Sequence, residues 1–289
     1  MPLIEPIIRP PAEADSMLLQ VTTGCSANAC TFCGAYADKP FAVMPPETVR
    51  ADIACHARRW PETRRVFLLD GDALAVSNPR LLPVLTALRE AFPRLSRVAS
   101  YATGNNLAER SDAELQALAA HGLSLVYLGL ESGCQDILTA CRKRATVAAM
   151  TAGVQRAAAA GIRSSVIVLL GLGGAARSAD HVAGTITALN AMQPHYLSFL
   201  SLMLIPGTPL AEAARGGAFR ELDATGMLRE ARAILAGLVL RRTVFRCDHA
   251  SNHLALAGRL PTDRAALLAQ LDAALAGKTA LRPWFMRGL

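Results

Sequence analysis

The chain has 289 residues, 52% of them hydrophobic and only 5% aromatic, with a formal net charge of +7. This Ala/Leu/Val-rich composition excludes a disordered chain, and the length suffices for one large α/β domain, or one domain with an appendage. The positive charge is scattered: its densest runs are Arg142-Lys143-Arg144 and Arg241-Arg242, and without interleaved aromatics they read as solvated faces and give no support to a nucleic-acid partner.

Residues 1–15 hold four prolines and no apolar core, so no signal peptide is expected there. The longest apolar runs, 166–172 and 233–240, fall short of the roughly 18 residues a membrane span needs. The expectation is a soluble, cytoplasmic protein without a membrane partner.

The first predicted strand, around Met17-Leu18-Leu19-Gln20-Val21, leads into Gly24-Cys25-Ser26-Ala27-Asn28-Ala29-Cys30-Thr31-Phe32-Cys33-Gly34. A helix is expected from Pro45-Pro46-Glu47 to about Arg59, with proline tolerated in its first turn. Strands follow at 65–69, ending in Asp70-Gly71-Asp72, and at 97–101, ending in a turn at Gly104-Asn105-Asn106; a helix over 79–92 lies between them. Ser111 caps a helix over 112–120 that Gly122 ends. A fourth strand over 123–130 ends in Glu131-Ser132-Gly133. A helical region broken near 142–145 runs to Ala160, and a fifth strand over 165–170 ends in Gly171-Leu172-Gly173-Gly174. Helix 180–192 and a sixth strand over 196–204, stopped by Pro206-Gly207, complete the series. Beyond it, 222–241 reads as one long helix, and a further helix runs to about Ala276.

Six strand–helix alternations imply a parallel sheet with right-handed crossovers, open or closed into a barrel. Each strand ends in a Gly/acid/polar cluster, which gathers the special residues at one rim, as in a barrel with its site at the strands' C-terminal ends.

Three of the seven cysteines lie within nine residues, spaced C-x4-C-x2-C. Three thiolates can hold three irons of a [4Fe–4S] cubane and leave the fourth for a small chelating molecule. A structural zinc site would need four ligands, and the next are Cys55 and His56, beyond a Pro-rich turn; a reducible thiol pair is the other alternative. The remaining cysteines do not make a disulfide framework. Cys134 and Cys141, two helical turns or roughly 10 Å apart, read as small hydrophobes.

The cysteine spacing, with Phe32 just before the third cysteine, resembles the cluster motif of the radical S-adenosylmethionine (SAM) superfamily, with one extra residue between the first two cysteines. The stretch from Arg9-Pro10-Pro11 to Cys33-Gly34-Ala35-Tyr36 is similar to a bacterial group of that superfamily. The resemblance covers about residues 9 to 215. It implies a [4Fe–4S] cluster on Cys25, Cys30 and Cys33, with SAM on the open iron and reductive cleavage to a 5′-deoxyadenosyl radical. It also implies a partial (β/α)6 barrel over 1–215, followed by a mainly helical C-terminal extension over 216–289. An electron donor such as flavodoxin or ferredoxin would serve the cluster.

Under the same resemblance, Asp70, Gly71 and Asp72 stand where relatives carry a Gly-Gly-Glu motif for SAM's ammonium. Glu131 would accept hydrogen bonds from the ribose or the amine, and Lys143, or one of its neighbours Arg142 and Arg144, would neutralise SAM's carboxylate. Ile167 or Val168 and Ile205 would flank the adenine. Cys247, Asp248 and His249, with Asn252 and His253, form the densest polar cluster after the sixth strand and are candidates for work on a substrate, or for a hydrogen-bonded cap. A carrier of haem or clusters, or an iron–sulfur electron-transfer or regulatory module, would keep the cluster and dispense with SAM turnover.

Overall fold

The computed structural model describes residues 3–288. In chain order it contains β1 (Met17–Gln20), β2 (Thr22–Thr23), β3 (Ala42–Val43), α1 (Pro46–Arg59), β4 (Arg65–Leu69), α2 (Asn78–Ala91), β5 (Arg97–Tyr101), α3 (Gly104–Glu109), α4 (Asp112–Ala120) and β6 (Leu123–Glu131). Then come α5 (Gln135–Ala140), α6 (Val147–Ala159), β7 (Arg163–Leu170), α7 (Ser178–Met192), β8 (Tyr196–Ser201), α8 (Pro209–Arg215), α9 (Ala224–Gly237), β9 (Thr243–Arg246), β10 (Ala257–Leu260) and α10 (Arg264–Leu275). The chain forms two compact units: Met1–Asn28, Ala35–Leu128 and Gly153–Ser164 make the first, and Ala29–Gly34, Gly129–Ala152 and Ser165–Leu289 the second.

In the first unit, β1, β4, β5 and β6 are parallel neighbours in that order. Val66, Phe67, Leu68 and Leu69 of β4 are all fully buried, so this strand is covered on both faces, as a parallel strand flanked by helices requires. Leu81, Leu85 and Leu88 put a fully buried stripe on α2 at helical spacing. Ser111 caps α4 through a capping box with Glu114. The turn expected at Gly104-Asn105-Asn106 is instead the first turn of α3. Thr103 caps it, and the Asn106 side chain returns the bond.

In the second unit, β7, β8 and β9 run parallel and β10 closes antiparallel on β9. Burial alternates along these strands. Val166, Val168, Leu197, Phe199 and Phe245 are fully buried, and the Phe199 and Phe245 rings meet edge-on at 5.0 Å. Ile167, Leu169, Ser198, Leu200 and Val244 point the other way and are half-buried. The stretch 216–289, expected to be a mainly helical extension, belongs to this same unit and adds the β9–β10 hairpin beside β8 as well as α9 and α10. Its long helix is shorter than the sequence implies, because α7 captures the backbone that would continue it. Asn190 donates to Gly237 O and accepts from Val239 N–H, while Gln193 binds Val239 O and Arg241 N–H.

Candidate active site

The first unit holds the start of the cysteine loop. Gly24 has φ +63°, and a Cβ there would lie 2.3 Å from the Lys39 carbonyl, so only glycine fits. Its N–H donates to Asp70 Oδ2 at 3.0 Å, and its carbonyl accepts from Gly71 N–H at 3.1 Å. The same Asp70 oxygen meets Lys39 Nζ at 2.6 Å, with both side chains buried. Lys39 also donates to the Ile4 and Pro6 carbonyls. Burial pushes the Asp70 carboxyl upward, against the lowering by Lys39 and the Gly24 N–H.

Gly71 is pressed between Cys25 and Tyr36: a Cβ would lie 3.0 Å from Cys25 Cβ and 2.7 Å from the Tyr36 ring. Asp72, fully buried, accepts a hydrogen bond from the hydroxyl of Ser26, the residue after the first cysteine. Burial raises its carboxyl as well, against the Ser26 bond. The Asp70-Gly71-Asp72 turn is therefore fastened to the loop at Gly24, Cys25 and Ser26.

The second unit holds the rest of the loop. Cys33 N–H closes a turn on Cys30 O at 3.2 Å. Between them, Thr31 donates its N–H to Cys141 O, and its carbonyl accepts from Leu210 N–H, both at 2.9 Å. Phe32 is half-buried. A Cβ on Gly34 would lie 3.0 Å from Ile205 Cγ2 and 3.5 Å from Thr208 Cγ2, so Ile205 lies against the residue following the third cysteine.

Glu131 and Lys143 meet at 3.4 Å, 16% and 17% exposed. Helix α5 ends in a Schellman motif: Arg142 N–H binds Thr139 O at 3.0 Å, and Lys143 N–H binds Leu138 O at 2.9 Å. Arg142 takes the left-handed position with φ +56°, so the basic trio is a helix cap that delivers Lys143 to Glu131. Cys141 is buried, faces Thr31, Glu131 and Lys143, and has its thiol raised by burial, whereas Cys134, expected to be buried with it, is only half-buried and meets the Arg177 guanidinium.

Of the two candidate adenine contacts on β7, Val168 is fully buried, whereas Ile167 lies on the half-accessible face. Behind the strand ends lies a polar network that the sequence does not reveal. Glu230 of α9 accepts from Gly171 N–H (2.7 Å) and Ser178 Oγ (2.6 Å), and faces His181 Nε2 at 3.8 Å. His181 Nδ1 meets Ser132 Oγ at 2.9 Å. The ends of β6 and β7 are thus tied to α7 and α9.

Cys247 is buried and exchanges backbone bonds with Leu256, which extends the hairpin by one pair and puts its thiol on the Phe245 face. It lines a small cavity with Leu170, Ser201, Met227 and Leu271, and burial, then Asp248, pushes the thiol up to about 12. Asp248 is exposed. His249 Nδ1 meets Ser251 Oγ at 2.9 Å, and burial lowers its imidazole. Asn252 is held by Ser201 Oγ and the Phe199 carbonyl, and Arg282 donates to the carbonyls of His249, Ala250 and Asn252. The base of this segment is therefore a hydrogen-bonded cap on the end of β8.

Sequence reasoning passed over Lys39, Thr31, Tyr36 and Thr208. A signal existed for Lys39: it is one of only three lysines in a chain that draws its cations from arginine.

A family model, the Radical SAM superfamily, matches residues 19–182, and the chain belongs to that superfamily. Its cofactors are those of the family, a [4Fe–4S] cluster and SAM. The fold is similar to that of the radical SAM methyltransferase TsrM from Kitasatospora setae (TM-score 0.57, 19% identity, 72% of this chain and 41% of that one). It is also similar to coproporphyrinogen III oxidase, HemN, from Escherichia coli (0.54, 15%, 76% and 52%) and to methylornithine synthase, PylB (0.54, 15%, 78% and 63%). This chain thus spans between two fifths and two thirds of those proteins' lengths. No curated protein matches it.

The residues present suit these cofactors. Cys25, Cys30 and Cys33 are all partly accessible, and Gly71 leaves Cys25 the room a side chain would take. Among the described residues no three His, Cys, Asp or Glu side chains converge on one metal ion; a cubane asks for no such convergence, because each thiolate takes its own iron. Among the described residues, too, no helix is long and apolar enough to cross a membrane.

Proposed function

We propose that this protein is a radical SAM enzyme that cleaves SAM reductively at a cluster held by Cys25, Cys30 and Cys33, and acts on a substrate by hydrogen abstraction. When bound, the reduced cluster and SAM supply a 5′-deoxyadenosyl radical. The observation that carries this reading is the C-x4-C-x2-C loop inside the matched region, with the 70–72 turn fastened to it. A cluster-bearing electron carrier has no need of the Glu131–Lys143 pair that accompanies it.

In this reading the Asp70-Gly71-Asp72 turn offers its backbone carbonyls to SAM's ammonium, while the buried Asp72 carboxylate holds Ser26 and so positions the first cysteine. Glu131 accepts from the amine or ribose hydroxyls, and Lys143 neutralises the carboxylate. Phe32, Ile167 and Ile205 give apolar contact and exclude water from the reacting atoms. Residues 1–215 carry the cofactors, and 216–289 serve the substrate through Asp248 and His249; Cys247, a candidate by residue type, is turned into the apolar layer beneath α9, on the face opposite Ile167 and Arg246, and takes no part in this reading. A flavodoxin or ferredoxin supplies the electron.

Anaerobic reconstitution, dithionite reduction and chromatography for 5′-deoxyadenosine test the reading. SAM binding with product formation is the expected result. A haem-dependent optical shift without product would indicate a carrier, and a cluster indifferent to SAM an electron-transfer module.

A further inference from the structure

The alternation along β7, β8 and β9 places Arg246 on the half-accessible face. Ile167, Ser198 and Arg246 are in register across three adjacent strands, so their side chains share that face. Arg246 is exposed, and among the described residues its guanidinium has one hydrogen bond, to the carbonyl of its own neighbour Phe245. On β10, Arg259 pairs with Val244 and Ala257 with Arg246, which sets Arg259 diagonally from Arg246 on the same face, also exposed. Among the described residues neither guanidinium has a carboxylate within ion-pair distance. Diagonal neighbours across an antiparallel pair come within reach of long side chains, and like charges so placed repel. An arginine pair of this kind is relieved by an oxyanion, which the planar guanidinium grips with two parallel bonds.

We infer that Arg246, with Arg259 and the Ser198 hydroxyl, forms an anion subsite that binds a carboxylate or phosphate group of the substrate. This deepens the proposed function and rests on it for one step: Ile167 as an adenine contact. Strands lie about 4.8 Å apart, so Arg246 stands two strands, or roughly 10 Å, across the face from Ile167. A substrate anchored at Arg246 by its acidic group would extend toward the cofactor along Ser198. SAM's own carboxylate is assigned to Lys143, at the end of α5, and does not use this subsite.

Calorimetric titration of the cluster-loaded protein, saturated with SAM, tests the inference with two probes, inorganic phosphate and succinate. Saturable binding of at least one is expected; the stronger probe tells whether the group is a phosphate or a carboxylate. Arg246→Ala should weaken binding at least tenfold and Arg246→Lys less. The Arg241→Ala/Arg242→Ala variant, which removes exposed charge from outside the strands, should leave it unchanged. The inference is overturned if neither probe saturates, if Arg246→Ala binds as the parent does, or if SAM abolishes binding by competition. Failure of 5′-deoxyadenosine formation would sink the radical assignment and leave this titration untouched, so the two failures are distinguishable.

Discussion

The carboxylate of Glu131 folds back over Gly129: a Cβ on Gly129 would lie 2.0 Å from Glu131 Oε1 and 3.4 Å from Lys143 Nζ. Glu131 itself takes φ +63°, a conformation that a non-glycine residue holds at a cost of about 1–3 kcal/mol. Such strain at a strand end beside the cysteine loop fits a carboxylate held for a ligand. Gly129→Ala should displace it and Glu131→Gln should discharge it. Each should weaken SAM binding by about 1.5–3 kcal/mol, the worth of a hydrogen bond to a charged group, or roughly ten- to hundredfold. Cluster content should stay constant. Equal SAM affinities in parent and variants, by equilibrium dialysis, would remove Glu131 from the site.

Cys30→Ala and Asp70→Ala should fail in different ways. The first removes a cluster ligand and should abolish the iron–sulfur absorbance, from about four irons per chain, with little change in the melting of the protein as purified without cluster. The second leaves the Lys39 ammonium buried without its partner, which costs about 3–5 kcal/mol, and lets the loop go at Gly24. Thermal melts paired with iron analysis separate them. An Asp70→Ala protein as stable as its parent would show that the Lys39 pair does not hold the loop.

Acid should weaken the fold through His181. Burial lowers its pKa from 6.5 to about 4, so the folded protein keeps it neutral while the unfolded chain takes up a proton. Its contribution is complete above pH 6.5 and is lost as pH falls toward 4, on the order of 3 kcal/mol in all. Glu230, raised by burial, has the opposite slope, since its folded form holds the extra proton. The difference between parent and His181→Asn in urea melts at pH 7, 6 and 5 isolates the histidine. The parent should lose stability faster; parallel slopes would contradict the assignment.

Asp248→Ala and His249→Ala should leave iron content and SAM affinity at parental levels while substrate-dependent turnover falls. Asp248 is exposed, and the packing of the segment rests on Ser251, Asn252 and Arg282. Asn252→Ala, by contrast, strips the partners from Ser201 Oγ and Phe199 O and should lower stability by about 1–3 kcal/mol. If Asp248→Ala melts like Asn252→Ala, the whole segment is a structural cap.

Much of this architecture was legible from local pattern. The strands at 65–69 and 97–101 have the expected limits, because short apolar runs bounded by polar residues have few other ways to be buried. The cysteine loop was legible by spacing. Long-range polar fastenings were not: Lys39 with Asp70, Glu230 with Gly171 and Arg282 with three carbonyls each join segments with no shared periodicity. Glu230 reads as one more polar residue on an Ala/Leu helix. The Cys247 cluster gave residue types but no directions, and only the hairpin ladder turns Cys247 toward α9.

That ladder has a consequence for variation in this part of the chain. Arg246 and Cys247 are consecutive, so the hairpin shows its guanidinium to one face and its thiol to the other. Loss or gain of one residue between Arg241 and Thr243, with the strand sliding to keep its pairing, would reverse the two. A sulfhydryl would then stand where the cation is, and a charge would be driven into the apolar layer beneath α9. Single-residue length changes here should therefore be selected against, while changes of two residues preserve the sidedness. The chemistry of this edge is written in odd and even numbers.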